Sequence, residues 1–120
     1  MTQWGVKFDL TGESESFVYA LGNGGQNEVA FIGTTESEKL GGSCEVSHNG
    51  VGGVLHSKTI LAPDMPSRLS PLNGENPIGG YYYYYSHPQA LCSDGSAANT
   101  AVETKATAAV KRIVKTIRSK

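Results

Sequence analysis

Cysteine is scarce in this chain, and so is an excess of charge of either sign. Two cysteines, Cys44 and Cys92, in 120 residues are too few to staple a small fold by disulfides alone, and no CxxC pair suggests redox or zinc chemistry. No apolar run approaches the ~18 residues that a membrane-spanning helix needs. The opening MTQWGVKFDL has no apolar core of a secretory signal. Without export, two buried, reduced thiols are expected, with a single intrachain disulfide as the alternative. Ten basic against 11 acidic residues leave a net charge of −1, which does not announce a nucleic-acid partner. His48, His56 and His87 have no metal-ligand spacing with the cysteines, so neither a metal nor another cofactor is expected. The glycine-rich GNGG (22–25) and GVGG (50–53) do not open helices, which argues against a phosphate-cradling loop. His48 and His56 flank the second of these, but no nucleophile or acid converges on them, so the chain is not expected to be an enzyme.

What is present is alternation. With 38% apolar and 18% charged residues the chain suits one compact domain, 1–120. Trp4, Val6, Phe8 and Leu10 alternate with polar or small residues, as do Phe17, Tyr19 and Leu21; the two runs predict an N-terminal hairpin over about 4–22. NGGQN is a turn, and Glu28–Ile32 (EVAFI) a further strand. Ser43–Asn49 alternates weakly and reaches Asn49-Gly50, a hairpin turn signal, before a return strand over Val54–Leu61. Residues 63–80 hold four prolines and three glycines without periodicity and predict a long loop within a sheet spanning about 28–87. Ser93-Asp94 or Ser96 can cap a helical part over about 97–118. There Val102, Ala106, Ala109, Val110, Ile113 and Ile117 form one apolar stripe flanked by Lys and Arg. The expected class is α+β: about six mostly antiparallel strands, then one helix or a broken pair. One helix covers only part of such a sheet, so a second copy is expected to complete the core.

Residues 81–85 are five consecutive tyrosines. On a strand they divide into Tyr81, Tyr83 and Tyr85 on one face and Tyr82 and Tyr84 on the other. Filling both faces of a central strand is the simplest reading; stacking on unpaired bases is the functional one.

The stretch SCEVSHNGVGGVLHSKTILAPD resembles the central hairpin of single-stranded RNA bacteriophage coat proteins, and YYYYYSHPQALCSDGSAANTAVE resembles their last strand and the start of their helical part. The order and spacing of elements carry the likeness over most of the chain. Such a resemblance implies an intertwined dimer, its two sheets joined into ten strands and each subunit's helices packed on the partner. It implies an icosahedral shell, with loop 63–80 at contacts between dimers, and a sheet face that binds an RNA stem-loop as translational repressor and packaging signal. The partners implied are the chain itself and single-stranded viral RNA, with no membrane; the location is the virion, assembled in the bacterial host cytoplasm. Carried over by position, Glu45, Ser47, Asn49, His56, Lys58, Tyr82 and Tyr84 would share the RNA face. Lys58 would meet phosphate, Ser47 and Asn49 would hydrogen-bond, and Tyr82 or Tyr84 would stack on a base. The alternative is a small secreted α/β toxin or effector with a Cys44–Cys92 disulfide.

Overall fold

The computed structural model describes residues 4–24, 27–61, 69–88 and 91–119. Strand β1 (Val6–Lys7) is short; β2 (Phe17–Gly24) and β3 (Asn27–Thr34) form a long hairpin. A single turn of helix, α1 (Thr35–Glu38), follows, then β4 (Gly53–Ser57), β5 (Leu69–Pro71) and β6 (Tyr82–Ser86). Helix α2 (Ala97–Val114) precedes the short β7 (Arg118–Ser119). The main sheet has five antiparallel strands in the order β2-β3-β4-β6-β5, and β1 pairs with β7 apart from it. The α+β class is as expected from the sequence. No helix among the described residues is long and apolar enough to cross a membrane.

The N-terminal run does not pair with β2. Val6 sits opposite Ser119 and Lys7 opposite Arg118, while the strand paired with β2 is β3. Alternation fixes which face of a strand is buried but not which neighbour it meets; Val6 is fully buried in the core formed with α2. A two-pronged ion pair holds the same segment down, with Arg112 Nε and Nη2 donating to Glu13 at 3.0 and 2.9 Å.

The stretch 43–49 is not a strand either. Gly42–Cys44 is one 3-10 turn, and the Glu45 carbonyl then accepts the N–H groups of His48, Asn49 and Gly50 at 2.9–3.1 Å. Serine, asparagine and glycine offer the backbone local partners that compete with a ladder, and only Cys44 and Val46 pull toward alternation. Gly50 adopts φ +60°, and a Cβ there would stand 2.5 Å from the Ile32 carbonyl oxygen. That close approach lets Val51 N–H donate to Ile32 O at 2.9 Å and Ile32 N–H donate to Gly52 O at 3.0 Å, which extends the β3–β4 ladder. Of the expected long loop, residues 63–68 lie outside the described set; the rest holds β5 and a short 3-10 turn at Asn73–Glu75.

Helix α2 starts where Ser96 Oγ accepts the Asn99 N–H, with Asp94 bracing the cap through Ser96 N–H and the Asn99 amide. Its stripe then buries Ala106, Ala109, Val110, Ile113 and Val114. Ala106, Val110, Ile113 and Val114 pack in one core with Ile32, Val54, Tyr83 and Tyr85 of the same chain's sheet. The helix thus covers one face of its own sheet. By the strand register the opposite face carries Val18, Ala20, Val29, Phe31, Leu55, Tyr82 and Tyr84.

Replacing a buried aliphatic under this helix leaves a cavity that the stiff sheet cannot close. Ile113→Ala is expected to cost about 2–5 kcal/mol in urea unfolding, whereas Lys115→Ala, on the exposed side of the helix end, is expected to stay within about 0.5 kcal/mol of the parent.

Candidate functional site

The seven residues expected on one face are divided among three places. Glu45, Ser47 and Asn49 lie in the turn before β4; Ser47 and Asn49 are exposed, and Glu45 pairs with His48 across 3.6 Å. His56 stands opposite Tyr83, and Ser57 opposite Tyr82. His56 therefore points to the helix-covered side, while Tyr82 and Tyr84 point away from it. Lys58 joins the His56 side, its Nζ 5.9 Å from the Tyr81 ring centroid. The seven residues therefore do not share one sheet face: the return strand is registered on the tyrosine strand so that His56 and the even-numbered tyrosines fall on opposite faces.

Tyr84 is also not available to stack. It is 1% exposed, and its hydroxyl accepts the Leu61 N–H at 2.9 Å, so the chain leaving β4 crosses over it. Tyr82 is half-buried. On the other face Tyr83 and Tyr85 are buried, as the three-plus-two division predicts, and burial pushes the Tyr85 phenol up to about 12.

Around His56 the structure builds an aromatic stack that the sequence did not reveal. Its ring lies 4.0 Å from Trp4 at 15° and 4.3 Å from Tyr81 at 12°. Trp4 Nε1 donates to Glu28 Oε2 at 3.3 Å, and the same carboxylate oxygen is 3.9 Å from His56 Nε2. His56 Nδ1 is buried with no hydrogen-bond partner. Burial pushes the imidazole pKa below its usual value, against the smaller opposing pull of Glu28. The stack pins the Trp4 segment to β4 and β6. Only the lone tryptophan hinted at it, because its partners come from strands 52 and more residues away.

Two further groupings escaped the sequence reading. Ser70 Oγ and His87 Nε2 are 2.6 Å apart, and the His87 ring meets Tyr85 edge-on. Burial first, then Lys111 and Lys115, pushes the His87 pKa down. Among the described residues no carboxylate pairs with His87, so there the pair lacks the third group that orients a catalytic base. It lies at the rim of a cleft of about 340 Å³ lined by Phe31, Asn49, His87 and Cys92 among others. At that cleft Cys44 and Cys92 form a disulfide with Cα atoms 5.0 Å apart, which replaces the expected pair of reduced thiols. It closes a separation of 48 residues, a span for which chain-entropy arguments give about 4 kcal/mol of stabilisation.

The histidines make stability depend on pH. Both are held neutral in the folded chain more firmly than in the unfolded one, so their contribution is whole above the unfolded value of 6.5. It declines as pH falls through 6.5 toward the lowered folded values, because the unfolded chain then takes up protons first. Urea midpoints at pH 7.5 and 5.5 are expected to fall for the parent and to fall less for His56→Phe, which keeps the ring stack; equal falls would contradict the assignment of His56. Comparison of this chain with protein-family models, with curated proteins and with solved structures yields no match.

Proposed function

We propose that this chain is a self-associating structural protein, the coat-protein reading that its sequence resemblance implies. The observation that supports it best is strand β2. It is eight residues long, lies at the edge of the sheet, and carries Tyr19 and Leu21 at 41% and 40% exposure. A long edge strand with exposed apolar side chains and no charge to blunt it favours pairing with a second copy. Two five-stranded sheets joined at such an edge make the ten strands that the resemblance implies. The sheet face turned away from α2 adds half-buried Val18, Ala20, Phe31, Leu55 and Tyr82, a surface suited to contact with other subunits.

Enclosure of single-stranded RNA, with stem-loop binding that represses translation and marks the genome, belongs to this proposal through the resemblance. The face turned away from α2 carries no charged side chain among the described strand residues. Phosphate contacts would instead fall to lysines on other surfaces. Lys58, Lys111 and Lys115 are exposed, whereas Lys105 and Arg112 are already paired with Glu15 and Glu13.

A second reading, a small exported effector, is favoured by one observation, the Cys44–Cys92 disulfide, since such bonds persist mainly in oxidising compartments.

Light scattering and electron microscopy of the expressed protein separate the two. The coat reading expects uniform shells with an RNA absorbance signature, and a monomer at high concentration would contradict it. Leu21→Lys places a charge on the edge strand at an exposed position; assembly is expected to need at least about tenfold more protein, equivalent to ~1.4 kcal/mol per contact, with the monomer's fold intact by circular dichroism.

A further inference from the structure

Glu103 is a carboxylate in an unusual place. It is 4% exposed, in the second turn of α2, and its oxygens accept the N–H groups of Cys92 at 2.9 Å and Ser93 at 3.2 Å. Among the described residues it has no cationic partner. A buried carboxylate normally requires a counter-charge or a full set of donors; two backbone N–H groups leave part of its acceptor capacity unused. Beside it, Ser93 Oγ is buried without a hydrogen-bond partner. A carboxylate oxygen of Glu103 and the sulfurs of Cys44 and Cys92 all lie within 4.8 Å of one another.

We propose that, once the disulfide is reduced, Cys44, Cys92 and Glu103 bind a thiophilic divalent cation of the Zn²⁺ class. A dithiol reductant passes two electrons and two protons to the Cys44–Cys92 bond and is itself oxidised to a disulfide, leaving two thiols. The cation binds the two sulfurs and displaces both thiol protons to solvent. Two thiolates and a carboxylate are the donor set that zinc takes. Three anionic ligands gathered in a largely buried spot repel one another, and a dication offsets that repulsion together with the desolvation of Glu103. Three protein ligands leave a fourth position open. The cleft of about 340 Å³, which Cys92, Ser43 and Asn49 help to line, gives water access to it. The disulfide and the metal site are thus alternative occupants of one place, selected by redox conditions.

The loop geometry explains how three ligands from distant parts of the chain meet. The 3-10 turn Gly42–Cys44 ends on a fully buried Cys44. The Cys92–Ser93 backbone is anchored on Glu103 by the two hydrogen bonds above, so the second sulfur is placed by the very residue that would complete the site.

The test uses the full chain reduced with a phosphine, desalted without air and titrated with Co²⁺. The expected result is a sulfur-to-cobalt charge-transfer band with the visible bands of tetrahedral Co²⁺, bleached by equimolar Zn²⁺, and no such bands from the oxidised protein. Zn²⁺ is also expected to slow alkylation of both thiols. Glu103→Gln keeps the shape of the side chain and is expected to weaken Co²⁺ binding at least about tenfold, as loss of a metal-orienting carboxylate does; its fold is checked by circular dichroism. Should that variant fail to fold, Cys44→Ser under the same reducing conditions is expected to lose most of the charge-transfer intensity. Absence of the band in the reduced parent, with alkylation rates indifferent to Zn²⁺, would overturn the proposal. Unchanged affinity in a folded Glu103→Gln protein would overturn the three-ligand site.

Discussion

The contact between the α2 stripe and the faces of Tyr83 and Tyr85 orders everything else in this chain. Val110, Ile113 and Val114 can bury their branched side chains only against a flat, apolar partner, and β4 and β6 provide one with Val54, Tyr83 and Tyr85. Once that face is taken, the opposite one has no helix among the described residues, and the alternation of the strands sends Val18, Phe31, Leu55 and Tyr82 there. The same contact fixes the position of Val6, and through β1 and β7 it ties the two end segments of the described chain together. Helix packing, rather than helix propensity, stabilises α2.

How much of this was legible in the sequence follows from the range of each interaction. The α2 stripe and its Ser96 cap, the strands at Phe17–Leu21 and Glu28–Ile32 and the three-plus-two division of the tyrosines all come from spacing within a few residues, and each is found in the structure. The N-terminal strand was visible, but its partner was not, because Ser119 lies more than a hundred residues away and leaves no local trace. Residues 43–49 read as a weak strand, yet hydrogen bonds to the Glu45 carbonyl fold them into turns. Alternation puts Tyr84 on the face opposite Tyr83 and Tyr85, as found, but the returning chain at Leu61 that buries it has no signature in the tyrosine run itself.

The candidate site was less legible, and one register explains most of the difference. A shift of one residue sends a whole strand's side chains to the other face, and here it separates His56 and Lys58 from Tyr82 and Tyr84. The same register brings His56 between Trp4 and Tyr81, where its ring cements the fold. Cys44, Cys92 and Glu103 illustrate the opposite case. Their residue types are eloquent, but their spacing matches no metal motif, since a 3-10 turn, an irregular segment and a helix contribute one ligand each.

Two features of the molecule point in different directions about its surroundings: an edge strand ready to pair and a cysteine pair ready to oxidise. The central claim is that β2 is an association edge, and hydrogen–deuterium exchange of its amides across a range of protein concentrations tests this most directly. The β2 N–H groups that do not bond to β3 are predicted to become protected as concentration rises, together with the side of the sheet that bears Leu55 and Tyr82. Rapid exchange of those amides at every concentration, while β3 and β6 stay protected, would contradict it.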